Sequence, residues 1–480
     1  LIFLYIGLPL AVAAVLPLVG KASKRVLPDL LSNAVLAGLL VYAATGARAL
    51  LAQGPIVQQV RWFGDAVNIR IALDGFSLFM LMAIQLVSLC VGLYSINYME
   101  HYGAKANYYA LLLVMVAGMN GLVLSQDLFN VYIFLEVAAV ASYALVAYGL
   151  GAEELEASFK YLMLSVVASA AILVSIAILY GMTGALGFDE VAAGLRILNA
   201  NVVVGVAAAI FGLKAALIPF HAWLPDAHPS APAPISAILS GLLIKVSGVY
   251  AMTRIFFRVL GMTPALSQIM MWLGAVSIVL AAFLALGQTD MKRMLAYSSI
   301  SQVGYVVLGI GLGTPLGVAG GLFHLFNHAI AKSLLFLTSG SVQQATGTRN
   351  LDEMGGLAKR MPWTAGTNLI GSLSIAGVPP LGGFWSKLVI IIALIQSGES
   401  ALAVIAVLAS VLTLWYYLIL QRKAFFGKLS ERWTHVKEAP FWMTTASVIL
   451  AVLVVGVGLW FATVFSSWIQ PAADALTKGF

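Results

Sequence analysis

The sequence predicts an all-α polytopic membrane protein, and three observations carry that expectation. Of 480 residues, 61% are hydrophobic and 9% are charged, against about 25% charged in an average soluble domain. The apolar residues come in runs of about 20, the length at which a helix crosses about 30 Å of hydrocarbon. Two of those runs are broken by proline, near Pro219 and at Pro379-Pro380, yet each keeps a lysine, Lys214 or Lys387. Proline removes a backbone donor and clashes with the preceding turn, so both helices must open there. Opened backbone at membrane depth persists only inside protein or against a water-lined cavity.

Taken in order, the chain divides into about fourteen spans, at about 20 residues per crossing. They run roughly over 1–20, 30–52, 74–98, 107–125, 127–150, 158–182, 201–222, 233–257, 265–288, 291–312, 315–342, 362–397, 400–423 and 441–468. Leu1 opens directly into an apolar run, without a cleavable signal pattern. Between the second and third spans, VRWFGDAVNIRIALDG alternates and turns at Gly64-Asp65, which reads as a small extramembrane hairpin. FDEVAAGLRILNA, after the sixth span, reads as a short amphipathic surface helix. The twelfth span is too long for one crossing and is split by Gly377-Val378-Pro379-Pro380, a second broken helix.

Fifteen basic residues fall in loops after odd-numbered spans and seven on the opposite side. The positive-inside rule then places both termini outward, in the inner (cytoplasmic) membrane of a cell. The two broken helices, seventh and twelfth, lie five spans apart. An odd offset requires a five-helix unit inverted relative to its copy, the arrangement in which paired broken helices mark a transport site. The expected divisions are therefore residues 1–106 (helices 1–3 with the hairpin), 107–257 (first five-helix repeat), 258–424 (second, inverted repeat) and 425–480 (helix 14).

Composition also excludes function classes. A net charge of +7 would suit nucleic acid, but the charges sit in short loops between apolar spans and read as membrane orientation instead. The single cysteine, Cys90, excludes an internal disulfide, and also a Cys-ligated iron–sulfur cluster or Cys₂His₂ zinc site held by this chain alone. No GxGxxG or GxxxxGK[ST] phosphate loop appears. No cofactor or metal is expected; electrons or nucleotides, if they drive this protein, belong to a partner.

The candidate functional residues are the few ionisable groups inside spans. A lysine in hydrocarbon costs about 2.5–3.5 kcal/mol on insertion scales, and such residues usually mark an ion pathway. Lys214 follows thirteen mainly apolar residues and precedes a break, so it lies at mid-depth, where reaching the headgroups is hard. Glu136 is the one acid well inside a span, with Tyr143 seven residues on and on the same helical face. Either a hydroxyl satisfies it or it pairs with Lys214, and the pair is the expectation. Lys245 lies about eleven residues beyond Pro234, about 16 Å along a regular helix.

His324, His328 and Lys332 recur at i, i+4 and i+8, one stripe over about 12 Å of helix. Two histidines and a lysine in line suggest a proton relay, because histidine titrates near neutrality. Metal binding is the weaker reading, since no carboxylate or third histidine is in register and only His221 and His228 stand elsewhere. Lys387 follows the second break by seven residues and ends the relay. His221 and Asp226 are expected to cap or orient the broken ends. Asp127, Lys160, Asp290, Lys292 and Arg293 read as interfacial anchors.

Three stretches, PFHAWLPDAHPSAPAPISAILSGLLIKVSGVY, HLFNHAIAKSLLFLTSGS and GVPPLGGFWSKL, resemble the antiporter-like membrane subunits shared by respiratory complex I, energy-converting membrane hydrogenases and Mrp-type sodium/proton antiporters. The resemblance runs from about Asp74 to Lys423, and its motifs together are highly specific. DLFNVYIFLEVAAVASYAL looks closest to the branch of the Mrp D-type and hydrogenase-type members. The chain ends soon after the fourteenth span, which implies a member without the long lateral helix of the largest subunits.

The resemblance implies two inverted five-helix repeats with broken helices seven and twelve. It maps Glu136 to the fifth-helix glutamate, Lys214 to its seventh-helix lysine partner and Lys245 to the eighth-helix lysine. His324, His328 and Lys332 fall on the eleventh-helix polar run, and Lys387 on the twelfth-helix lysine, where some relatives carry glutamate. The function implied is proton translocation, by a non-redox subunit whose partners are other membrane subunits of a hetero-oligomeric complex. Competing readings are a subunit that moves Na⁺ itself, a stand-alone solute carrier, and a spacer whose polar axis only packs helices.

Overall fold

The computed structural model describes residues 2–62, 67–198 and 214–477. Apolar periodicity gives way to near-continuous helix. An N-terminal pair, α1 (Leu4–Ala22) and α2 (Val26–Gln53), leads into an antiparallel hairpin of β1 (Ile56–Trp62) and β2 (Val67–Leu73), in a register that sets Gln59 opposite Arg70. The expected turn at Gly64-Asp65 lies outside the described residues. Then come α3 (Gly75–Tyr98), α4 (Lys105–Leu124), α5 (Leu128–Val146), α6 (Ala152–Thr183) and the short amphipathic α7 (Phe188–Leu198). The seventh span, expected at 201–222, lies outside the described residues as far as 213.

Beyond the first break run α8 (Leu224–Ser230), α9 (Ala233–Leu260), α10 (Pro264–Leu286), α11 (Met291–Gly311) and α12 (Pro315–Thr346). The second broken helix is α13 (Pro362–Ala376) and α14 (Gly382–Gln396), followed by α15 (Ser400–Phe426), α16 (Phe441–Leu459) and a C-terminal α17 (Gln470–Thr477). Among the described residues, eleven helices are long and apolar enough to cross a membrane. The 32-residue α12 falls short of that apolarity because it carries His324, Asn327, His328 and Lys332. It is the central helix, packed against α9, α11, both halves of the broken helix and α16. At the periphery, Phe159, Val167, Val174 and Ile178 of α6 and Val404, Leu408 and Val411 of α15 turn outward, a surface suited to lipid or to a neighbouring membrane helix.

Local chemistry sets several helix ends. Asp74 caps α3 in a reciprocal box, accepting from the Ser77 amide at 2.7 Å while its own amide donates to Ser77 Oγ at 2.7 Å. Asp127 and Asp290, expected as anchors, cap α5 and α11 by accepting from the Asn130 and Arg293 amides. Gly377, at φ +87°, closes α13 in the left-handed conformation that a side chain resists.

Two features depart from the sequence reading. α9 was expected as a regular helix, but π turns wind it at Leu239–Leu243, Lys245–Tyr250 and Phe256–Leu260, so an axial distance based on 1.5 Å per residue does not apply to Lys245. Arg254, one of the seven basic residues expected in loops on the side opposite the fifteen, is 1% exposed near the end of α9 and grips Asp74 through two nitrogens at 2.7 and 2.8 Å. Tyr250 accepts from the same guanidinium at 2.8 Å, and the Phe76 ring centroid lies 5.2 Å away. Burial opposes ionisation of Asp74, but the Arg254 charge and the Ser77 hydrogen bonds outweigh it and hold the carboxyl below the usual range.

Candidate functional site

The first break presents Lys214. The chain turns through Ala215–Phe220 with Ala216 in the left-handed region, and the Ile218 amide freed by this turn donates to Ser277 Oγ at 3.0 Å. Side-chain satisfaction of that kind is what open backbone at depth requires. A Cβ on Gly248 would come within 2.4 Å of Ala215 Cα, so glycine there lets the broken segment lie directly on α9.

Lys214 is buried, with Nζ 3.8 Å from Glu136 Oε1 and donating to Ser165 Oγ at 2.7 Å. Glu136 in turn accepts a hydrogen bond from Ser169 Oγ. Both alternatives weighed for Glu136 are therefore present together, a lysine and a hydroxyl, but the hydroxyl is that of Ser169. Tyr143 packs edge-on against Tyr161 at 4.7 Å instead. Glu136 keeps a quarter of its side-chain surface exposed. Beside Lys214 lies a cavity of about 20 Å³ lined by Tyr161, Ser165, Trp223 and Ser247, room for one water.

Ser247 belongs to the π-wound stretch of α9 that carries Lys245. Lys245 is fully buried and its ammonium donates to the Ser240 carbonyl, five residues back. On α12, His324 and His328 are fully buried with ring centroids 6.3 Å apart. His324 is bonded on both nitrogens, to Ser386 Oγ at 2.9 Å and Gln302 Oε1 at 3.2 Å. His328 has no hydrogen-bond partner among the described residues on either nitrogen, and lies within electrostatic reach of Lys245, Lys332, His324 and Lys387. Lys332 donates to the Leu295 carbonyl at 3.0 Å and to Tyr417 Oη at 2.9 Å. Lys387 donates to the Ile375 carbonyl at 2.9 Å, on the other side of the second break, and its Nζ lies 4.6 Å from the Tyr305 ring centroid. Tyr305 also meets His324, at 5.5 Å between rings.

The structure thus places all seven sequence-derived residues inside the bundle. It brings Glu136 to Lys214 and His324 to His328, and sets the Tyr305 ring against both Lys387 and His324. Ser247, from the π-wound stretch that begins at Lys245, lines the small cavity beside Lys214.

Other residues differ from their expected roles. Lys292, read as an interfacial anchor, is 1% exposed and donates at 2.9 Å to the Ala231 carbonyl, left open where α8 ends. Lys160 and Arg293 do lie at the surface, where both hold Asp226, at 3.6 and 3.3 Å. His228, set aside in the sequence, is fully buried against Phe336 and within electrostatic reach of Lys245, Lys332 and Lys292. Ser165 and Ser169 went unnoticed; their spacing of four on a helix facing the Glu136 helix was the available signal.

Known proteins show the same framework. Residues 125–413 match the family model described as NADH:quinone oxidoreductase/Mrp antiporter, TM, and residues 62–109 that described as NADH-Ubiquinone oxidoreductase (complex I), chain 5 N-terminus. The NADH-quinone oxidoreductase subunit N of Desulforudis audaxviator (strain MP104C) is 34% identical, over 88% of this chain and 88% of its own length. The D subunit of the Na(+)/H(+) antiporter of Alkalihalophilus pseudofirmus is 32% identical, over 95% of this chain and 93% of its own. A chain in the structure of the Mrp complex from Dietzia sp. DQ12-45-1b superposes with a TM-score of 0.93 at 27% identity, covering 99% of this chain and 97% of that one. With motif, helix order and full-length likeness in agreement, the chain belongs to the NADH:quinone oxidoreductase/Mrp antiporter transmembrane family.

Proposed function

We propose that this chain translocates protons as one subunit of a larger membrane complex. The route runs from the Glu136–Lys214 pair to Lys245, then along Lys332, His328 and His324 to Lys387 at the second break. The observation that carries this reading is the file of buried titratable groups between two helix breaks, inside a bundle whose outer face is apolar. Each buried lysine costs free energy that a spacer has no reason to bear. Residues 107–257 and 258–424 serve as the two inverted repeats, with both termini on the outer side of the cytoplasmic membrane.

Glu136 and Lys214 act as the switch. At 3.8 Å and an effective dielectric of about 20, their attraction is about 4 kcal/mol before desolvation. A change of about 1.4 kcal/mol is tenfold in proton occupancy, so opening the pair changes the hold on the Lys214 proton by up to about a thousandfold. Na⁺ as the cargo has less support. Among the described residues, buried Asp74 is taken by Arg254 and half-buried Asp29 by Lys105, and Glu136 alone makes a poor oxygen cage.

The test is proton flux in vesicles reconstituted with the purified complex, comparing Lys214→Ala, Lys245→Ala and Lys387→Ala at matched assembly. Flux falling at least tenfold in each variant supports the route. Undiminished flux in all three leaves the polar axis as packing and contradicts it.

A further inference from the structure

We propose that Ser165 and Ser169 of α6 are positioning residues that set the gap between Glu136 and Lys214, a role that rests on reading this pair as the proton switch. The two hydroxyls stand one helical turn apart on the same face of α6. One accepts from the Lys214 ammonium at 2.7 Å and the other donates to the Glu136 carboxylate. Each charged partner therefore makes a strong, charge-assisted hydrogen bond to α6, and the two remain 3.8 Å apart rather than collapsing onto one another.

The helix that carries these serines is suited to changing the gap. α6 leaves most of its length exposed at the periphery, whereas α9 and α11 are almost wholly buried. Its inner end is tied through Lys160 to Asp226 on α8, just beyond the first break, at 3.6 Å. A tilt or slide of α6 moves both hydroxyls together, withdrawing one hydrogen bond from the acid and one from the base. Ser165 also lines the one-water cavity that leads toward Ser247, so it holds the ammonium at the mouth of the next step. Among the described residues, the other titratable side chains facing the pair are Tyr132 and Tyr143 on α5 and Tyr161 on α6; the segment beyond the break contributes Trp223 and α9 contributes Ser247.

The test measures the pH profile of proton flux in vesicles holding the intact complex, for Ser165→Ala, Ser169→Ala and the corresponding threonine variants. Loss of Ser165 removes an acceptor of the charged ammonium, so the pH of half-maximal flux moves down. Loss of Ser169 leaves the carboxylate to be satisfied by Lys214, so that pH moves up. Each shift is expected to be about one pH unit, the worth of a hydrogen bond to a charged group, and threonine restores the wild-type profile in both positions. Alanine variants with unchanged profiles, or with reduced assembly alone, make the serines packing residues and overturn the proposal. Glu136→Gln run alongside separates the two ideas: wild-type flux in that variant removes the switch itself, whereas lost flux with unshifted serine profiles removes only the cradle.

Discussion

Asp74–Arg254 and Glu136–Lys214 each set a carboxylate against a cation inside the bundle, and they differ in every respect that governs whether a pair can open. Asp74 and Arg254 side chains are 1% and 2% exposed and meet through two contacts at 2.7 and 2.8 Å. The acid is also spent on capping α3, and the guanidinium is flanked by Phe76 and Tyr250. Glu136 and Lys214 meet through one contact at 3.8 Å, each with a serine hydroxyl as a second partner, and the acid is partly exposed. Arginine supplies a rigid, permanently charged fork, whereas lysine is a point charge on a flexible stem that can lose its proton. The first pair is a fixture that locates the start of α3 on α9. The second has the looseness a switch needs.

The contrast gives graded predictions. Asp74→Asn has the largest expected effect, since it leaves Arg254 charged and uncompensated in the interior; that costs about 3–5 kcal/mol, read as a lowered unfolding midpoint of the purified complex. Glu136→Gln should lower the same midpoint by less than about 1 kcal/mol, because its pair is long and partly solvated. Equal losses in the two variants would erase the distinction between fixture and switch. Arg254→Lys comes next, at about 1–3 kcal/mol, because an ammonium cannot reproduce the two-pronged contact.

The smallest effect is in pH. A carboxyl held below its usual range contributes stability that is complete above its unfolded value, about 3.9, and is lost only as pH falls through the lower folded value. The stability difference between wild type and Asp74→Asn should therefore stay constant from about pH 5 to 9. A difference that fades within that window would mean the pair titrates and is no fixture.

Much of the helical order was legible because it follows from local chemistry. Apolar run length marks the spans, and Gly377-Val378-Pro379-Pro380 stops α13 by its own backbone constraints. Glu136 and Lys214 could be matched because charged residues inside spans are so few that each has little choice of partner. Asp74 and Arg254 could not, being 180 positions apart and each at a helix end, where a charge looks like an ordinary interfacial anchor. Lys292 was hidden in the same way between Asp290 and Arg293, and only the open Ala231 carbonyl reveals why it turns inward. The π turns of α9 were invisible because a continuous apolar run such as ILSGLLIKVSGVY suits either winding. Ser165 and Ser169 read as two more small polar residues until Lys214 is seen above one and Glu136 above the other.

The most direct test of the account is proton flux by the intact complex in sealed vesicles when Glu136 is replaced by glutamine, with assembly and stability confirmed equal to wild type. Flux is expected to fall on the order of a hundredfold, since the attraction that holds and releases the Lys214 proton is gone. Flux within about twofold of wild type would contradict it.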